Sequence, residues 1–241
     1  MGTSTDRSAG RGGAWTPLKY AATSYARGAR NNAGDADKAG RVLARHVSLF
    51  GGAGGAASSA VAGRNGLTRL GALVAGIGDA GLAPTLQSLG LGQLVGQDRF
   101  EILDELVTLI GGDGNDFDSQ AARDAACDAL EALFDDADSW EELSTTTAST
   151  GDIERILRLF LAAYVYNRVP VIAERLARLS DPEAARRADA QFRQIIEDLV
   201  VIHLGDDPLT IDWSGPAGRQ ITDDAIESVY EALEALEGTA P

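Results

Sequence analysis

Sulfur and imidazole are nearly missing from this chain: one cysteine, one methionine and two histidines stand in 241 residues. A lone cysteine, Cys127, excludes an internal disulfide and most cysteine metal sites. It lies in ARDAACDALEAL, at helical spacing between Ala126 and Leu130, which predicts a small core or near-core residue rather than a nucleophile. His46 and His203 both stand beside apolar residues and no HExxH pattern occurs, so a transition-metal site is not expected. There is no eighteen-residue apolar run and no basic-then-apolar leader. The expectation is a cytoplasmic protein that neither spans a membrane nor is secreted. Aromatics are sparse at 6%, and alanine and leucine carry most of the apolar mass. These are the strongest helix formers, so the expected fold is all-α: a compact multi-helix domain with a flexible N-terminal tail.

Positive charge is scarce after the first third. Residues 1–70 hold ten Lys or Arg against three acids, about +7; the remainder holds eleven against thirty-three, about −22. The acidic body would repel phosphates, so direct nucleic-acid binding is not expected. The basic first third leaves room for a nucleotide or an acidic partner.

Along the chain, residues 1–34 read as a Gly/Ser/Thr/Arg-rich tail. Trp15, Leu18, Tyr20 and Tyr25 are its only anchors, too few to offset an ordering entropy of roughly 1–2 kcal/mol per residue. WTPLKYAATSY is nonetheless suited to docking on a partner. Residues 35–241 read as the helical domain. DADKAGRVLARHVSLFGG is a helix with Asp35 as N-cap and Gly51 as its end. Residues 51–96 carry thirteen glycines, which fit either closely packed helices or a looser, loop-like backbone. From 99 to 236 the periodicity predicts amphipathic helices. One has Phe100, Leu103, Val107 and Ile110 as a stripe; another has Ser119 as cap. A long run, with Ile153, Ile156, Leu157, Phe160, Leu161 and Tyr164 at helical spacing, should kink or break at Pro170. A helix starting at Ser180 or Asp181 reaches Gly205, and a last one starts at a Thr222 cap between Ile221 and Ile226. PLTIDW is at most a short extended piece.

Signals for chemistry are weak. GIGDAG at 76–81 matches G-x-G-x-x-G, but no strand precedes it and LTRLGALVAG is helical in spacing. GDGNDFD at 112–118 puts Phe117 in a ligand place and Asp118 in the glycine place of a calcium loop, so a polar turn is the better reading. No G-x-S-x-G elbow or other nucleophile context appears. An enzyme is not expected, and no cofactor is assigned to the chain itself.

The first five residues, MGTST, carry more. Removal of Met1 would leave Gly2 with an unhindered α-amine of pKa about 7.7–8.0, part of it neutral near neutral pH and able to attack an activated acyl group. Myristoylation would need Ser or Thr where Asp6 stands. With MGTST at the start, ARHVSLFGGAGGAASSAVAG and GLTRLGALVAGI behind it, and LAAYVYNRVPVIAERL later, the sequence resembles the QatB family of the bacterial Qat anti-phage system. It departs from the family's lead after Thr5, where DRSAGRGGAWTPLKYAATSY stands.

The resemblance implies an ATPase, a QueC-like enzyme and a TatD-like nuclease as companions. It implies that the QueC-like enzyme, which would hold the ATP and the 7-deazaguanine, conjugates that base to Gly2. Thr3, Ser4 and Thr5 would be the leader entering the partner's site. Tyr166, Asn167 and Arg168, polar groups in the apolar run YVYNRVPVI, are candidates for a partner surface or for a buried polar network. Two other readings remain beside this one. The chain would be an unmodified scaffold binding the ATPase or nuclease, or a nucleotide-binding protein using the glycine-rich region.

Overall fold

The computed structural model describes residues 15–29, 36–135, 137–205 and 207–237. Among the described residues every regular element is helical. The helices are α1 (Trp15–Ala29), α2 (Ala36–Ser48), α3 (Ala53–Ser58), α4 (Val61–Ala80), α5 (Leu82–Ser88), α6 (Arg99–Gly111), α7 (Phe117–Leu133), α8 (Trp140–Ser144), α9 (Thr150–Asn167), α10 (Pro170–Leu176), α11 (Pro182–Leu199) and α12 (Pro216–Ala235). The all-α expectation holds. No single described helix is long and apolar enough to cross a membrane.

The chain divides into two compact units. The first comprises Met1–Ala57, Val169–Ile195 and Tyr230–Pro241. Within the stretch read as a tail, 1–34, residues 15–29 form α1. Leu18, Ala22, Tyr25, Ala26 and Ala29 recur at helical spacing and are all buried, packing against α2 and α10. Two of the four anchors, Leu18 and Tyr25, suffice because Ala22, Ala26 and Ala29 complete the buried face between them. Tyr25 donates its hydroxyl to the Ala188 carbonyl at 2.6 Å and sets its ring 5.5 Å from Phe192. The Asp35 cap expected for α2 lies outside the described residues. Gly51, at φ 85°, closes the turn that follows.

The second unit comprises Ser58–Arg168 and Ile196–Val229. Its central element is α4, which contacts α5, α6, α7 and α9. The glycines of α4 face bulky neighbours. A Cβ on Gly63 would clash with the Tyr164 ring, one on Gly66 with the edge of the Phe160 ring and one on Gly71 with the indole of Trp213. Phe160 and Tyr164 stack in parallel, centroids 6.3 Å apart. Each glycine costs the helix about 1 kcal/mol against alanine, while burying a large ring returns roughly 1.5–3 kcal/mol. That balance decides the glycine-rich region in favour of close-packed helices.

Four further expectations shift. In α6 the buried stripe is Ile102, Leu106 and Ile110, not the one through Phe100, which is 81% exposed. Asp98 fixes that register by accepting from the Phe100 and Glu101 amides. The cap of α7 is Asp116 rather than Ser119. α12 begins at Pro216, so Thr222 lies inside it and turns its hydroxyl back to the Arg219 carbonyl. α11 stops at Leu199, and Val200, Ile202 and Leu204 are buried while Val201 and His203 are exposed. That alternation is of an extended, β-branched segment. The break at Pro170 stands, with Pro170 at the first position of α10.

The caps make stability depend on acid. Ser149 with Asp152 and Ser139 with Glu142 form capping boxes. Hydrogen bonds to Ser119 lower the Asp116 carboxyl below its ordinary value. Bonds to Asp138 and Ser139 do the same for Glu142, and bonds to Ser149 for Asp152. A carboxylate depressed in the folded state contributes stability above its unfolded pKa of about 4, and loses it as pH falls through the folded value. Thermal melts from pH 6 to pH 2.5 are expected to show stability falling below about pH 4. The Asp152→Asn variant should show a shallower slope than the parent.

Candidate functional site

The leader residues Gly2, Thr3, Ser4 and Thr5 lie outside the described residues. The first described feature after them is α1, whose inner face is pinned by Tyr25 and Leu18. Its outer side carries Tyr20, 74% exposed, with exposed Arg27; Trp15, 51% exposed, stands at the helix start in line with the buried face.

The second group of expected site residues is placed differently. Arg168 is 3% exposed and Tyr166 is buried, while Asn167 is half-buried. The trio thus offers little open surface beyond Asn167. Of the two alternatives left open, Arg168 takes the buried polar network. Its guanidinium pairs with Asp118 at 3.5 Å, donates to Ser59 Oγ at 2.7 Å and lies 5.5 Å from the centre of the Tyr164 ring. Tyr164 donates its hydroxyl to the same Asp118 oxygen. The other Asp118 oxygen accepts from the Ala62 amide at 2.7 Å, in the first turn of α4. A buried cation is costly unless paired and hydrogen-bonded, and this one is both.

The network adjoins a cleft of about 480 Å³ between the start of α4 and the loop before α7. Four of the charged groups at or beside it, Arg69, Arg123, Asp116 and Asp118, serve structural bonds. Arg69 donates to the Leu109 carbonyl at 2.8 Å. Arg123 closes the GDGND loop by donating to the Gly112 and Gly114 carbonyls at 2.7 and 2.8 Å. Asp116 caps α7 and Asp118 caps α4. The polar-turn reading of GDGNDFD therefore stands. Among the described residues no three His, Cys, Asp or Glu side chains gather as a metal site would require.

GIGDAG gives no phosphate cradle either. Gly76 and Gly78 lie within α4, facing Thr85 and the Leu209 side chain with the Ala148 carbonyl. Cys127 is exposed, not in the core. The helix face turned inward is that of Ala122, Ala126 and Leu130, one position away. Local desolvation and the nearby carboxylates of Asp124, Asp128, Glu131 and Asp104 push its thiol pKa up, which disfavours the reactive thiolate. His46 is buried against the edge of Phe50, and His203 is exposed.

Sequence reasoning missed Asp118 and Ser59 as partners of Arg168 and Tyr164. The partners lie 46 and 109 residues apart, beyond any local spacing. An aspartate in the first turn of a helix was the one available signal, and it points to a cap of its own helix rather than of another.

No curated protein and no solved structure matches the chain. A family model described as "Qat anti-phage system associated protein QatB" matches residues 51–233. The matched span opens in the glycine-rich stretch and closes in α12, leaving MGTST, α1 and α2 outside it. It contains α4 with its ring-filling glycines, the Asp118–Arg168 network and the break at Pro170, and it covers well over half of the sequence. The chain therefore belongs to the QatB family, a component of the Qat anti-phage system.

Proposed function

We propose that this chain is a non-catalytic component of the defence system whose Gly2, freed by removal of Met1, accepts a 7-deazaguanine from a QueC-like enzyme. The observation that carries the reading is the MGTST start on a chain of this family. The commitment of Arg69, Arg123, Asp116 and Asp118 to bonds within the fold supports it as well, because these charges already have work to do in the chain.

The chemistry is an acyl transfer. The partner activates the carboxyl of the base with ATP. The neutral Gly2 amine attacks the acyl carbon, the activating group departs, the nitrogen loses a proton and an amide remains. ATP and the base belong to the partner. Glycine suits the role because its amine has no side chain beside it. Its pKa of about 7.7–8.0 leaves far more neutral amine near pH 7.5 than a lysine of pKa about 10.4. The ATPase and the TatD-like nuclease are further companions in this reading.

The test is the mass of the N-terminal peptide from protein expressed with and without its neighbouring genes. Gly2 is expected to carry the added base only when the QueC-like gene is present, and Gly2→Pro is expected to abolish the addition. A plain Gly2 peptide in both backgrounds, with the enzyme active on its own substrate, would overturn the proposal in favour of an unmodified scaffold.

A further inference from the structure

We infer that Asp113–Gly114, at the rim of the cleft beside α4, is a site of spontaneous covalent modification in which the aspartate isomerises to isoaspartate. The inference is independent of the acceptor reading of Gly2.

The chemistry belongs to the dipeptide. A glycine after an aspartate leaves the next amide nitrogen unhindered, because no Cβ stands beside it. The Gly114 nitrogen bonds to Cγ of Asp113, a C–O bond of the carboxyl breaks, and the amide proton leaves with that hydroxyl as water. The cyclic imide then takes water back. Cleavage between the nitrogen and Cγ restores the aspartate. Cleavage between the nitrogen and the main-chain carbonyl carbon leaves Gly114 joined through the side chain, beside a free α-carboxylate. Water balances, and no oxidant, reductant or enzyme enters.

Two dipeptides of the chain have this potential, Asn65–Gly66 and Asp113–Gly114, and the fold separates them. Asn65 and Gly66 lie inside α4, where the Gly66 amide serves the helix ladder. Closing the ring at Asn65, with ammonia leaving, needs a ψ far from the helical value and breaks that ladder. Asp113 instead stands exposed at a bend between α6 and α7. Among the described residues neither its carboxylate nor the Gly114 amide is engaged in a hydrogen bond. Nucleophile and electrophile are both free, so nothing has to break before they meet.

The product also bears on the loop. Arg123 Nη1 donates to the carbonyls on both sides of Asp113, Gly112 at 2.7 Å and Gly114 at 2.8 Å. Isoaspartate routes the main chain through Cβ and Cγ and so lengthens the path between these two carbonyls, which loosens the clamp.

The full chain is incubated near pH 6 at about body temperature, folded and in urea, and the tryptic peptides 65–69 and 100–123 are read by mass and fragmentation. Isoaspartate is expected at Asp113 in the folded chain and not in Asp113→Glu, whose longer side chain closes a less favourable ring. Urea should raise the rate at Asn65 by about tenfold or more and alter the rate at Asp113 by less than about fivefold. A folded chain without isoaspartate at Asp113, or a rate there that urea raises by more than that, would overturn the inference. Parent chain enriched in isoaspartate should melt below Asp113→Glu aged beside it, and equal melting would overturn the loosened clamp.

Discussion

Replacing Asp118 with alanine is expected to lower the melting temperature by about 10 °C. The carboxylate faces the Arg168 guanidinium, accepts the Tyr164 hydroxyl and accepts the Ala62 amide. Removing it takes the carboxylate from a cation that is 3% exposed, and such losses cost about 3–5 kcal/mol. Asp118 itself is 20% exposed, so water can reach part of the gap and the lower end applies. About 3 kcal/mol corresponds to roughly 6–12 °C for a chain of this size. Arg168→Met should cost less, because it removes the cation rather than orphaning it. The double variant Asp118→Ala/Arg168→Met should regain at least about 1 kcal/mol relative to the sum of the singles. Additive singles, or a loss under 2 °C for Asp118→Ala, would show that the network adds nothing beyond local packing.

The second large effect lies on α4. Gly66→Leu should destabilise by about 3 kcal/mol or prevent folding, since even its Cβ would clash with the edge of the Phe160 ring. Overpacking costs typically 1–3 kcal/mol, and the helix-propensity gain returns less than about 1 kcal/mol. Gly66→Ala pits the same two terms against each other and should still be destabilising, by about 1–2 kcal/mol. Gly54→Ala is the opposing control. That glycine lies in α3 with nothing within 4 Å of an added Cβ, and the substitution should stabilise by about 0.4–1 kcal/mol. Chemical denaturation of the three variants reads all of this. Equal effects at Gly54 and Gly66 would mean that ring packing does not govern the helix.

Both effects arise where the chain's spacing was informative but incomplete. Tyr164 and Phe160 were legible as one helical face, and the glycines were legible as unusual. That each ring fills the place of a missing Cβ follows from how α4 and α9 cross, which no local pattern encodes. Arg168 in an apolar run was also legible as an anomaly, yet its nature was not. Surface and buried readings of the same residue differ by what arrives from elsewhere in the chain, Asp118 and, 109 residues earlier, Ser59. The stripe of α6 shows the same limit at shorter range. Two neighbouring stripes, through Phe100 or through Ile102, both contain Ile110, and the Asp98 cap with the packing of α7 selects the second.

What the sequence determined by itself was what local energetics can fix. Its alanine- and leucine-rich composition made the fold all-α. The proline at 170 ended a helix, Asp181 before Pro182 started one by accepting the Glu183 and Ala184 amides, and the GDGND stretch became a turn. The resemblance carried by MGTST and the helices behind it identified the family. The tertiary structure decided what depends on distant partners. It ordered Trp15–Ala29 against α2 and α10, buried Arg168, turned Cys127 outward and filled the glycine gaps of α4 with rings. The physical reason is common to all four. A backbone preference is summed over a few neighbouring residues, whereas burial, ion pairing and steric fit depend on which side chains arrive from elsewhere in the chain.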